Sequence, residues 1–121
     1  MSNGRWARYA LERYSLLKRW RELAAIIVRA CREVLRECKV YVVGGAAEER
    51  LTVLSDIDVV AVVENPSMKT IETVIAVKRR AEELGLPQDT PIDLKILTPQ
   101  EFQDLVKRGI YKKVVEIEPL V

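Results

Sequence analysis

Residues 40–63 read Val40-Tyr-Val-Val-Gly44-Gly45-Ala-Ala-Glu48-Glu49-Arg50-Leu-Thr-Val-Leu-Ser55-Asp56-Ile57-Asp58-Val-Val-Ala-Val-Val63. The stretch opens and closes on runs rich in β-branched residues, which predicts two strands, Lys39–Val43 and Asp56–Val63. Gly44-Gly45 ends the first strand, 46–50 suits a helical turn, and 51–55 is a connector. Successive strand side chains alternate faces, so Asp56, Asp58, Val60 and Val62 share one face. Ile57, Val59, Ala61 and Val63 share the other.

Working outward, Asn65-Pro66 is a turn and Ser67 offers a cap for a helix running to about Leu84. Gly85 follows that helix and Pro87 stands just beyond, as at many helix C-termini. Pro91–Leu97 is a third strand. Thr98, Pro99 and Glu101 fit a capping box with proline at the first helical position, and that helix ends near Lys107 and Gly109. Ile110–Ile117 reads as a fourth, edge strand, with Lys112 and Lys113 to discourage edge pairing. Upstream, apolar residues recur in steps of three and four from Ala7 to Glu37. One helix there would be about 45 Å long. The expectation is a break near Tyr14–Ser15 or a projecting half over residues 1–20. The order is α-β-α-β-α-β-α-β in an α+β domain, a small mixed sheet with helices packed against it.

The 121 residues suffice for one domain, 1–121. They are 49% hydrophobic and 31% charged, which excludes a disordered chain. No apolar run approaches the roughly 20 residues of a membrane span, and the N-terminal stretch lacks a secretory pattern. Histidine is absent, so acid–base or metal chemistry rests on other side chains. Cys31 and Cys38, placed on one helix, would stand about 10 Å apart, too far for a disulfide. They read as reduced core thiols of a cytoplasmic protein. The net charge of +2 divides into +6 over residues 1–39 and −4 over the rest. Arg5, Arg8, Arg13, Arg19 and Arg21 interleave with Trp6, Tyr9 and Tyr14, a composition open to nucleic acid, to a protein contact or to ordinary packing.

Three features carry chemistry: Gly44-Gly45 after a strand, Asp56-Ile57-Asp58 opening the next, and Asp93 between Ile92 and Leu94. Asp56 and Asp58 lie roughly 6.6 Å apart at Cα on one strand face. Carboxylates so placed repel one another, and a divalent cation neutralises them. Mg²⁺ takes oxygen ligands together with substrate phosphates. If the strand bearing Asp93 lies alongside, three carboxylates can hold two ions. Glycines at a strand-to-helix turn let backbone N–H groups approach a phosphate.

This arrangement resembles the nucleotidyltransferase fold shared by DNA polymerase β, kanamycin nucleotidyltransferase and the tRNA CCA-adding enzymes. The motif that carries the resemblance is Val43-Gly44-Gly45, a ten-residue spacer, Asp56-Ile57-Asp58-Val59, and Asp93 in the run IDLKIL. Residues 44–63 look most like the minimal nucleotidyltransferases of archaea and bacteria, and the likeness extends over about residues 24–108. It implies transfer of NMP from an NTP, with ATP the expected donor, to a hydroxyl acceptor. It further implies that Asp56, Asp58 and Asp93 act as catalytic residues and Mg²⁺ ligands in a two-metal site, and that Gly44 and Gly45 cradle the β- and γ-phosphates. Arg50 would compensate Glu48 and Glu49, which add negative charge beside that site, and Ser55 would anchor the loop. Gly45 stands where serine is commoner. Minimal relatives work with a HEPN-type helical partner, in some cases adenylylating it as an antitoxin. The long N-terminal helix would then serve pairing with such a partner or with a second copy. Two other readings stay open: a non-catalytic partner-binding antitoxin module of the same fold, and an RNA-binding domain.

Overall fold

The computed structural model describes residues 3–119; residues 1–2 and 120–121 of the expected domain lie outside the described residues. Two helices, α1 (Asn3–Lys18) and α2 (Trp20–Leu35), lead into strand β1 (Lys39–Val43) and the short helix α3 (Gly44–Ala47). Strand β2 (Ile57–Val62), a 3₁₀ turn (Pro66–Met68) and helix α4 (Ile71–Glu83) follow. Strand β3 (Ile92–Leu97), helix α5 (Pro99–Lys107) and strand β4 (Val115–Ile117) complete the order. The α+β architecture read from the sequence is the one observed, with one more helix at the start.

The N-terminal periodicity divides at Arg19, not at Tyr14–Ser15. The Arg19 N–H bonds the Leu16 carbonyl three residues back, and the Leu23 N–H bonds the Arg19 carbonyl, each at 3.0 Å. Neither glycine nor proline causes the break. An unbroken helix of this length would run about 50 Å, while a six-residue strand spans about 20 Å. Dividing the helix lets Leu17 and Trp20 both be buried. Consequently α1 does not project: Ala10 and Leu17 are buried, and Arg13 reaches the loop before β2.

The sheet runs β3-β2-β1-β4. β1 is antiparallel to β2 and β4, while β2 and β3 are parallel, a pairing that requires a crossover such as the one containing α4. The period-two pattern sorts the faces. Val40 and Val42 of β1, Ile57, Val59 and Ala61 of β2, and Ile92, Leu94 and Ile96 of β3 join Leu23, Ile27, Cys31 and Val77 in one core. Burying each large aliphatic contributes about 1.5–3 kcal/mol. The opposite face carries Tyr41, Val43, Asp58, Val60, Asp93 and Lys95. There α5 lays Phe102 on Tyr41, ring centroids 4.6 Å apart.

Four local expectations are corrected. Asp56 precedes its strand, because pairing with β3 begins at Ile57 opposite Ile92. The fourth strand is only Val115–Ile117, so Lys112 and Lys113 lie before it. β1 offers partners from Val40 to Val42 and then bends into α3. Helix α4 is capped by Thr70, whose hydroxyl accepts from the Thr73 N–H at 3.1 Å. Ser67 instead sits in the 3₁₀ turn, its N–H bonded to the Asn65 side chain. Finally, α2 stops at Leu35, so Cys38 does not continue the helix that holds Cys31. The chain turns at Arg36 and sets the two thiols beside one another in the core. Both remain free and buried. The neighbouring Cys38 thiol and burial push the Cys31 thiol up, while the interaction with Cys31 brings Cys38 below the ordinary thiol range.

Candidate active site

Asp58 stands on the face of the sheet opposite the aliphatic core. Its register partners are Val43 on β1 and Asp93 on β3, so the second and third acidic positions of the motif converge across neighbouring strands. Gly44 follows Val43 with φ +67°, a conformation L side chains rarely adopt, and a Cβ there would overlap the Asp58 carboxylate. Conformation and space therefore both call for glycine at position 44. Gly45 meets only ordinary contact distances, with the Arg50 carbonyl 3.8 Å from a Cβ built there, so space alone does not require glycine at 45.

The Asp58 carboxylate has no hydrogen bond or ion pair among the described residues. Its pKa lies above the usual carboxylate range, first because of burial and next because of the neighbouring Asp93 charge. Asp56 adds to this and Lys95 partly offsets it. Asp93 is half exposed, with Lys95 Nζ 3.5 Å from its Oδ2. Asp56 is turned to α1. Arg13 Nη2 donates to Asp56 Oδ1 at 2.8 Å and to the Ser55 carbonyl at 2.9 Å, and Arg13 Nε donates to the Val53 carbonyl at 2.8 Å. Asp58 and Asp93 thus form a pair with Asp56 at its edge, held by a guanidinium. Among the described residues, no three acidic or thiol side chains are gathered around one metal-sized point. The donor set nevertheless suits a hard cation: it is all oxygen, and Asp58 carries negative charge that no protein cation neutralises directly.

The remaining expected residues divide. Ser55 Oγ accepts from the Thr52 N–H at 2.9 Å, and the Ser55 carbonyl accepts from Arg13, so Ser55 fixes the loop entering β2. Arg50 faces Glu48, with Nε and Nη2 each 3.1 Å from Oε1. It compensates one of the two glutamates and makes no contact with the aspartates. Glu49 takes a positive φ of 60° on the exposed side of that turn.

The sequence reading missed the part played by Arg13. Its spacing says only that it lies on a helix, among arginines grouped with aromatics. The structure uses three of those arginines internally. Arg13 bonds the site loop, Arg19 pairs with Glu22 at 3.1 Å, and Arg21 lies 4.1 Å from the Trp20 ring centroid. That leaves less of the composition free for nucleic acid.

A profile of the nucleotidyltransferase domain matches residues 24–118. No curated protein sequence gives a significant match. Among solved structures, a Sulfolobus solfataricus protein provisionally named a nucleotidyltransferase superposes with a TM-score of 0.53 at 22% identity. The match covers 89% of this chain and 85% of that one. A second structure, also provisionally named a nucleotidyltransferase, gives 0.52 at 19% identity, over 76% of this chain and 94% of its own. At these identities the likeness is one of fold. None of the described helices is long and apolar enough to cross a membrane.

Proposed function

Since this chain belongs to the nucleotidyltransferase domain family, we propose that it moves a nucleoside monophosphate from ATP to a hydroxyl acceptor at Asp58 and Asp93. The acceptor oxygen attacks the α-phosphorus in line. The bond to the bridging oxygen breaks, pyrophosphate leaves, and the hydroxyl proton passes to a carboxylate of the site or to solvent. The observation that carries this reading is the Asp58–Asp93 pairing across β2 and β3, set against a glycine whose backbone abuts Asp58. Mg²⁺ bound by Asp58, Asp93 and Asp56 would neutralise the triphosphate and favour the ionised acceptor. Gly44 and Gly45 open α3, where first-turn N–H groups lack intrahelical partners and would meet the β- and γ-phosphates. Arg13 holds Asp56 and the Ser55 carbonyl in place. Catalysis would come from positioning and charge neutralisation.

The acceptor in this reading is carried by a HEPN-type helical partner, adenylylated as by an antitoxin, with a second copy of the chain as the other candidate for pairing. The exposed Trp6, Tyr9 and Leu11 on α1, 59–68% accessible, support a protein contact on that helix. A second reading, a non-catalytic partner-binding module, is favoured by one observation: the described acidic side chains do not converge three at a time.

The test is calorimetric titration of ATP, with GTP, CTP and UTP alongside, with and without Mg²⁺. Wild type is compared with the Asp56→Asn/Asp58→Asn double variant. Binding that needs Mg²⁺ and vanishes in the variant is the expected result. Wild type that binds no NTP would overturn the catalytic reading for the isolated chain and favour the module.

A further inference from the structure

A cavity of about 560 Å³ lies away from the aspartates. It lies where the end of α2, the start of β1 and the beginning of α5 meet, and its volume is that of a small-molecule site. Lys39 and Val62, paired across β1 and β2, mark its place on the sheet. Val62 is four residues along β2 from Asp58, about 13 Å, and Lys39 is at the far end of β1 from Gly44. The cavity is therefore separate from the carboxylate pair.

Its lining is chemically specific. Arg32, Arg36 and Lys39 contribute to it, and none of the three has a carboxylate partner among the described residues. The stacked rings of Tyr41 and Phe102 form one wall. Glu37 and Glu64 also line it and reduce the local charge to one net positive.

The backbone supplies an independent observation. Arg36 has φ 67° and ψ −61°, and the Glu37 N–H donates to the Leu35 carbonyl at 2.8 Å. This is a γ-turn of the positive-φ kind, which is rare and strained. It falls on an arginine where glycine would fit without that cost. Such strain concentrates at ligand clamps, where the surroundings hold a side chain in a set place. Here it falls on Arg36, which lines the cavity with Arg32 and Lys39.

We propose that this cavity is a second ligand site, taking a mononucleotide. Arg32, Arg36 and Lys39 would receive the phosphate, where charge-assisted bonds are strongest. The Tyr41–Phe102 wall would meet the flat ring, and Glu37 and Glu64 would accept hydrogen bonds from hydroxyl or amino groups. The site does not depend on the transfer reaction assigned to Asp58 and Asp93.

The test is ¹H–¹⁵N correlation spectroscopy on the full chain without Mg²⁺, titrated separately with AMP, ribose 5-phosphate and inorganic phosphate. Saturable AMP shifts at Arg36, Lys39, Tyr41 and Phe102 are expected, with ribose 5-phosphate weaker and phosphate weakest. Arg36→Gly should melt no lower than wild type, since glycine adopts this turn without strain, and should bind AMP at least tenfold more weakly. Lys39→Gln, on an exposed strand-end side chain, provides a second folded variant with several-fold weaker binding. AMP shifts confined to residues 44–47 and 58, or no saturation at millimolar AMP, would overturn the proposal. So would phosphate binding as tightly as AMP, or wild-type AMP affinity in both variants.

Discussion

At the scale of single residues, the Asp58 carboxyl titrates above its usual range because it is partly desolvated beside Asp93. An acid whose folded pKa exceeds its unfolded value binds its proton more tightly in the native state. Stability is therefore lost as pH rises from about 4 through the raised folded value, and the deficit persists above it. Asp58→Asn removes the charge and keeps the shape. The variant is expected to melt above wild type at pH 7 in the absence of Mg²⁺, with the difference closing as the pH falls toward 4. Melting curves at four pH values check this, and a variant less stable than wild type at pH 7 contradicts it. The geometry of this position was partly legible beforehand. Strand alternation put Asp56 and Asp58 on one face, but nothing local could say that Asp56 would be claimed by an arginine on α1. The Arg13 bond spans 43 residues, and sequence periodicity does not report such contacts.

Elements were legible where their end signals are chemical. Thr98, Pro99 and Glu101 form the capping box read from the sequence: the Thr98 hydroxyl accepts from the Glu101 N–H at 3.3 Å, and Glu101 Oε1 accepts from the Thr98 N–H at 2.9 Å. Lys69 also pairs with Glu101. Thr98→Ala is expected to cost about 1 kcal/mol, read from urea unfolding with an unchanged slope. Elements whose limits depend on a neighbour were misread. Val115–Ile117 is a strand only where β1 offers partners, and propensity alone extended it back to Ile110. The break at Arg19 likewise has no local signal, since it serves the burial of Leu17 and Trp20 on a core narrower than the helix is long. Cys38 followed the helical count on paper, and the turn at Arg36 took it out of that register.

For the whole molecule, the core depends on α2 and α4 covering one side of the sheet. Leu23 is fully buried at its centre, and Leu23→Ala should lower the unfolding free energy by about 2–5 kcal/mol, measured by urea denaturation at pH 7. A loss below about 1 kcal/mol would mean that the surrounding helices collapse onto the space. The class of fold could be inferred from the order of strands and helices, and the shared face of Asp56 and Asp58 from alternation; that Asp93 stands beside Asp58 rests on the pairing of β3 with β2, which spacing alone does not decide. The large cavity could not be inferred, because it is made by three element ends whose mutual placement only the packed molecule defines.

The parallel pairing of β2 and β3 also bears on how the site comes into existence. Asp58 and Asp93 are separated in the chain by the whole of α4, so no hairpin or local turn can bring them together. A fragment ending before β3 retains the complete glycine and double-aspartate signature and still lacks the pair. The pair is complete only when β3 has joined the sheet, so cation binding at the proposed site would report on the folded sheet rather than on any one segment.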